Sequence, residues 1–394
     1  MELILSEHSE SKDLIMKVGI LAGATSNFGE LWHISPRQMV REVTDEVLKE
    51  ARLPKSKIDA VFVGNMLSSS LGNQDHLGAF FAEELGLSVP STKVEAACAS
   101  GGLSVHLAAL SILSGQYRHV LVIGVEKMTD YKPELVNRAL MGAGSDGERE
   151  AGATFSALYA LIARVHMAKY GTKEIELAQV AVKNHYHASL NSHAQFKKQI
   201  TLKQVLKSPP VSSPLKILDC SPITDGAAAL ILSPSDNKSQ VSIIASQVAT
   251  DTLGLSQRED LTSLKASIIA ATNAYRQAGI TPLDIDVAEV HDCFTIAEII
   301  AMEDLGFFPK GEAAKNIFAK KTWIGIGHPV VNTSGGLKAA GHPVGATGVK
   351  QIVEIFHQLN GTSGNKQVEN ARLGLTHNVG GSGATCVIHI LKKN

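Results

Sequence analysis

The feature that most constrains this chain is that it matches itself. Ala51 to Val63 aligns without a gap on Ala278 to Val290, and each stretch reads as a helix end, a proline turn and then a buried strand. Similarity at so long a period marks duplicated units that share one architecture. The length agrees, since 394 residues, 44% of them hydrophobic, exceed one ordinary core and suggest fused units.

The order of elements around the matched stretches is also the same. An amphipathic helix precedes each. The first opens with Ser35 as cap and Pro36 as first residue, with Gln38 expected to complete a capping box and Val40, Val43 and Val47 on one face. The second runs from Leu264 to Ala278 and ends at Gly279. Before the helices lie strands, Val18 to Leu21 and Val241 to Val248. After the matched stretches come two turns, Ser100-Gly101-Gly102 and Ser334-Gly335-Gly336, each leading to a small-residue helix and another apolar strand, His119 to Gly124 and Leu373 to Asn378. Alternating strands and helices predict α/β layers. Ala228 to Leu232 would complete the first half. The expected division is therefore a first half over 1–128 and 217–238, an inserted segment over 129–216 that covers a site, and a second half over 239–394.

Composition narrows the function classes. A formal net charge of −1 provides no field for nucleic acid, and no Lys/Arg cluster interleaves with aromatics. No apolar run reaches the roughly 18 residues of a membrane span. Residues 1–17 lack a signal-peptide core, and the end, Leu391 to Asn394, carries no peroxisomal address. Cys98, Cys220, Cys293 and Cys386 form no CxxC pair, so they read as reduced thiols of a cytoplasmic protein.

Cys98 lies in Val94 to Gly102, where an extended segment meets a helix that starts at paired glycines. Unpaired N–H groups and the macrodipole at that helix end would favour a thiolate and pull its pKa below the usual value of about 8.5. A lone cysteine is more often buried structure, but position and glycine context reverse that preference here. A cysteine nucleophile needs a base and oxyanion donors. Of fifteen histidines, two have comparable settings. His342 sits among glycines between the second Ser-Gly-Gly turn and its helix. His291 ends the duplicated strand, in Val290-His291-Asp292-Cys293-Phe294, where the first half has Gly64.

Three motifs in this order, Ala97 to Gly102, His291 to Phe294 and Gly341 to Gly348, closely resemble the thiolase family. The likeness runs from about residue 17 to the C-terminus, and is greatest to archaeal-type acetoacetyl-CoA thiolases and then to the sterol-carrier-protein type. The resemblance implies a five-layered αβαβα fold of two similar halves plus a loop domain. It implies that Cys98 attacks an acyl-CoA, that His342 takes the thiol proton, and that Cys293 removes the α-proton of a second acetyl-CoA. His291 and His342, through a water, would hold the thioester oxygen, and the backbone N–H groups of Cys98 and Gly380 would form a second oxyanion hole. Coenzyme A is then substrate and product, with no cofactor and no metal. A homodimer or homotetramer is implied, with a possible assembly with hydroxymethylglutaryl-CoA synthase and a small zinc-ribbon/OB-fold protein.

One departure from better-known thiolases matters. Asn378 stands where their C-terminal cysteine would align, so the acid/base role passes to Cys293, with neighbouring His377 as a rival contact. His185, His187 and His193 suggest a metal only weakly, since no carboxylate or thiol lies at ligand spacing. Lys169, Lys183, Lys197 and Lys198 are candidates to face the CoA phosphates, while Cys220 and Cys386 read as core. Two other readings stay open: a ketoacyl synthase or other acyltransferase of this fold, and a noncatalytic CoA- or lipid-binding scaffold.

Overall fold

The computed structural model describes residues 17–235 and 239–394, so the expectation for the extreme N-terminus and the limits at 1 and 238 lie outside the described residues. The strands, in chain order, are β1 (Val18–Thr25), β2 (Ala60–Gly64), β3 (Ser91–Val94), β4 (Val120–Glu126), β5 (Pro210–Ser212), β6 (Leu215–Lys216), β7 (Gly226–Pro234), β8 (Val241–Thr250), β9 (Val287–Glu289), β10 (Val330–Val331), β11 (Leu373–Gly380) and β12 (Thr385–Lys393). Strands β5 and β6 pair as a separate hairpin. The rest form one sheet in the order β10-β9-β11-β12-β8-β1-β7-β4-β2-β3.

That order contains the duplication. Outward from the middle, β1-β7-β4-β2-β3 and β8-β12-β11-β9-β10 are the same arrangement. In each, the three outer strands run parallel and the two inner ladders are antiparallel. The halves join where Val18, Gly19 and Ile20 of β1 pair antiparallel with Ile243, Ser242 and Val241 of β8.

Side-chain alternation builds the layers. In β7, Ala228, Leu230 and Leu232 face the central core while Ala227, Ala229 and Ile231 face an outer one. Period-two alternation of apolar residues on both faces is what a strand buried between two layers requires. Helices Ser100–Leu113 and Val344–Asn360 pack on each other in the central layer. Helix Pro36–Ala51 covers the first half's outer face, and helix Lys265–Ala278 the second's. The result is the expected five layers. No helix of the described residues is long and apolar enough to cross a membrane.

Local signals hold with one exception. Ser35 caps the first helix by accepting from the Gln38 N–H at 3.2 Å, but the Gln38 side chain turns outward to Glu42 at 2.9 Å. The expected capping box is therefore half made. Gly279 ends the second outer helix at φ 67°.

The two central helices touch through backbone. A Cβ on Gly101 would lie 2.7 Å from the Gly345 carbonyl oxygen, and one on Gly348 only 2.1 Å from the Gly102 nitrogen. Glycine is required on both sides of this contact. Helices Pro133–Leu140, Phe155–Tyr170 and Glu174–Ala188 lie in the stretch of chain between β4 and β7.

Candidate active site

The ends of β3, β9 and the second central helix converge on a cavity of about 580 Å³ lined by Cys98, His291, Cys293 and His342. The Cys98 sulfur and a ring nitrogen of each histidine all lie within 4.8 Å of one another. The covering segment supplies Asn137, Leu140, Phe155 and Tyr159, so residues from both halves and from the insertion share one space.

Cys98 is set by a tight elbow. Ala97 adopts φ 52°, and the Ser100 hydroxyl donates to the Ala97 carbonyl at 2.6 Å while accepting from the Ala96 N–H at 2.9 Å. A non-glycine residue in this left-handed region is uncommon, and here it aims the next side chain into the cavity. Three donors at this helix start are already engaged. Ala99 and Ser100 donate to the Ala96 and Ala97 carbonyls, and Gly102 to Asn378 Oδ1 at 3.0 Å. The thiol is 8% exposed, and burial first pushes its pKa up, to about 12, with Glu126 adding to the rise and the Gly381 N–H opposing it. This corrects the expectation of a depressed pKa. The resting Cys98 is a neutral thiol that requires a base.

His342 has the protonation a base needs. Burial, reinforced by Lys350, holds its pKa down at about 3, so the ring is neutral. Its Nδ1 lies 2.8 Å from Thr347 Oγ1, and that hydroxyl gives its hydrogen to the Pro343 carbonyl at 3.1 Å. Nδ1 therefore carries the ring proton, and Nε2 presents a lone pair.

His291 has the opposite tautomer. Asn378 Nδ2 points at His291 Nδ1 at 3.4 Å, which makes Nδ1 the acceptor and Nε2–H the donor. That Nε2 is buried without a hydrogen-bond partner among the described residues. The rings stand edge to face, 5.0 Å apart at 84°. His377 stands behind the cavity lining. It accepts from the His291 backbone N–H at 3.3 Å and meets Ser267 at 2.8 Å, which fixes the strand end beneath His291.

Asn378, at the position of the missing cysteine, holds the halves together. Its amide donates to the Cys98 carbonyl at 3.0 Å while its oxygen takes the Gly102 N–H. Cys293 is 7% exposed, and burial pushes its pKa far above the usual thiol range, with the nearby Cys98 adding to the rise. The expected oxyanion donor Gly380 is the last residue of β11 and lines a different groove. Gly381, one residue on, lines both that groove and the cavity, and its N–H, like that of Cys98 itself, favours charge on the Cys98 sulfur.

Other readings are corrected by burial. Lys183 cannot reach a phosphate, because its ammonium is fully buried against Glu298 at 2.5 Å and the Val331 carbonyl at 3.0 Å. Lys169 pairs with Asp260 at 2.9 Å, while Lys197 and Lys198 are exposed next to Phe196 at the cavity wall. Cys220 is not core but lines the cavity, whereas Cys386 is buried in β12. His187 uses both nitrogens internally, with the Asn332 carbonyl at 3.0 Å and the Ile324 N–H at 3.1 Å. His185 Nδ1 meets the Lys198 carbonyl, and His193 lies in another pocket. Sequence reasoning missed Tyr159, Thr347 and Gly381. Thr347 sits five residues after His342 in the recognised motif, the one signal that could have found it.

Comparison with known proteins follows the same lines. Residues 18–236 match the family model for the thiolase N-terminal domain, and residues 247–393 the thiolase C-terminal domain-like model. The acetyl-CoA acetyltransferase of Methanothermobacter thermautotrophicus is 45% identical over 384 residues, covering 95% of this chain and 99% of that one. That of Methanocaldococcus jannaschii is 46% identical over 391 residues, covering 95% and 98%. Among solved structures, the Ltp2-ChsH2(DUF35) aldolase superposes with a TM-score of 0.83 at 23% identity, over 96% of this chain and 98% of that one.

Proposed function

The chain belongs to the thiolase family, and from that premise we propose that it is an acetyl-CoA C-acetyltransferase, joining two acetyl-CoA into acetoacetyl-CoA and CoA or running the reverse thiolysis. The observation that carries this reading is one sulfur and two imidazoles of opposite tautomer within 4.8 Å, in a cavity that also exposes a second thiol.

The resting state has neutral Cys98, Cys293, His291 and His342, and the protons balance from there. His342 Nε2 takes the Cys98 proton as the sulfur attacks the acetyl-CoA carbonyl carbon. The carbon–sulfur bond to CoA breaks, and the departing thiolate takes the Cys293 proton and leaves as CoA. The pocket then holds acetyl-Cys98, an imidazolium at His342 and a thiolate at Cys293. That thiolate removes the α-proton of a second acetyl-CoA. Enolate charge develops beside His291 Nε2–H and, through a water, beside His342. The enolate carbon attacks the acetyl carbonyl, whose oxyanion is served by the Cys98 N–H and the Gly380–Gly381 turn. Collapse releases Cys98 as thiolate, which recovers its proton from His342.

The exposed Lys197 and Lys198 are the candidates for the CoA phosphates. A homo-oligomer is part of the proposal, with β3 offering an open sheet edge as a seam. An assembly with hydroxymethylglutaryl-CoA synthase and a zinc-ribbon/OB-fold protein extends it, on the resemblance of the three motifs alone. Light scattering that returns a monomer mass would refute the oligomer.

The deciding experiment incubates the protein with acetyl-CoA and maps acetylation by mass spectrometry. Acetyl on the Cys98 peptide is expected. A noncatalytic scaffold would show none, and a ketoacyl synthase would keep its activity in Cys293→Ala.

A further inference from the structure

Tyr159 belongs to the covering segment, in helix Phe155–Tyr170, yet it is built into the chemistry's second thiol. It is 1% exposed, and its ring stacks on Phe294, the residue after Cys293, with centroids 4.8 Å apart and planes at 30°. Tyr159 and Cys293 both line the catalytic cavity. The hydroxyl donates to the Gly381 carbonyl at 3.4 Å, and it sits near enough to the Cys293 sulfur to favour charge there as a donor does.

These contacts differ in strength. Hydroxyl–oxygen bonds cluster near about 2.7–2.8 Å, so a 3.4 Å approach to Gly381 is weak and leaves the hydrogen available to another acceptor. Burial keeps the phenol protonated, so toward sulfur it is a donor. The groups around Cys293 make such a donor necessary. Cys98 and Asp292 both disfavour charge on its sulfur, and the wall around it is apolar, with Phe155, Leu140 and Phe294. Besides the phenol, the Phe294 N–H also favours charge on this sulfur, and the apolar wall leaves these two donors to offset the cost of burying it.

We propose that Tyr159 is a positioning residue for carbon–carbon bond formation, donating its O–H to the Cys293 thiolate left when CoA departs and holding that sulfur toward the α-carbon. The phenol keeps its proton throughout, so the balance of the reaction is unchanged. The proposal rests on reading Cys293 as the acid/base thiol. It separates the half-reactions: acetylation of Cys98 needs no Cys293 thiolate at the start, whereas α-proton removal does.

Tyr159→Phe keeps the ring and its stack on Phe294 and removes one oxygen. Rapid-quench mass spectrometry should show Cys98 acetylation within about twofold of wild type. Exchange of acetyl-CoA methyl protons with D2O, followed by NMR, should slow about ten- to a hundredfold, because hydrogen bonds to charged acceptors are among the stronger ones. The alkaline limb of condensation should move upward by about one pH unit, a change that loosened packing would not produce. Normal exchange in Tyr159→Phe, or acetylation and exchange falling together, overturns the inference. Absence of acetylation in the wild-type protein is a different failure, and would sink the acyltransferase reading itself.

Discussion

The two halves share one strand order and two Ser-Gly-Gly turns, yet they supply different things. The first gives the cavity one reactive group, Cys98. The second gives His291, Cys293 and His342, with Asn378 tying them to the first. The difference begins at the strand ends. After β2, Gly64 lies directly against its own turn, and a Cβ there would fall 2.8 Å from Gly101 Cα. After β9, the second turn packs instead on Asp292 and on Ala188 of the covering segment, and the helix is interrupted around His342. One half spent its turn on packing, and the other opened it to make room for side chains. A duplicated scaffold thus becomes asymmetric through where a turn rests, with its strands unchanged.

The largest test of that division removes the single contribution of the first half. Cys98→Ala should lose condensation about ten-thousand-fold or more, and all covalent acetylation, because the nucleophile has no substitute. Cys293→Ala should lower condensation about a thousandfold while Cys98 still acetylates. Equal loss of both steps in that variant would erase the division of labour.

Acid should attack the halves unequally. His187, His342, His377 and His389 all lie in the covering segment or second half, and burial holds each near a pKa of about 3. Their unfolded value is about 6.5, so below that pH the unfolded chain binds more protons and stability falls as pH drops toward 3. Between pH 7 and 5 each histidine withdraws on the order of 1–2 kcal/mol. Hydrogen exchange at pH 5 should show β11, β12 and helix Glu174–Ala188 losing protection before β4 and β7. Uniform loss would contradict the asymmetry.

Gly348→Ala asks whether the halves must touch through backbone. Its new methyl meets the Gly102 nitrogen, so the helices must part by a fraction of an ångström. Acetylation should fall about a hundredfold from misalignment alone, with a stability loss of about 1–3 kcal/mol in urea titration. The smallest effect is expected at Asn378→Ala. Freeing the Cys98 carbonyl and His291 Nδ1 should slow turnover about tenfold, and Asn378→Asp should not restore it, since a carboxylate cannot donate to Cys98.

Much of this was legible in the chain. Glycines around Cys98 and His342, and the contrast of His291 with Gly64, mark the site because few other structures need such residues at element ends. Other parts depend on partners distant in sequence. Lys183 reads as a surface lysine until Glu298 is brought beside it. Cys98 reads as activated by its helix until Asn378, Ala96 and Ala97 are seen to use or take up the donors. Tyr159 carries no motif, being one aromatic in a largely apolar helix, and only the folded cover brings it into the cavity with Cys293. Cys220 reads as core because nothing local distinguishes a cavity wall from an interior.

The glycine contact between the central helices has a wider consequence. An ordinary core absorbs a new methyl by shifting rotamers, but where Gly101 and Gly348 meet there are no rotamers to shift. The gap across which Cys98 and His342 would exchange a proton in the proposed reaction is therefore gauged by main chain. The cavity wall at Asn137, Leu140 and Phe155 is made by side chains instead, so in the proposed enzyme it can be recast for a different acyl group while the spacing of the reacting atoms stays the same.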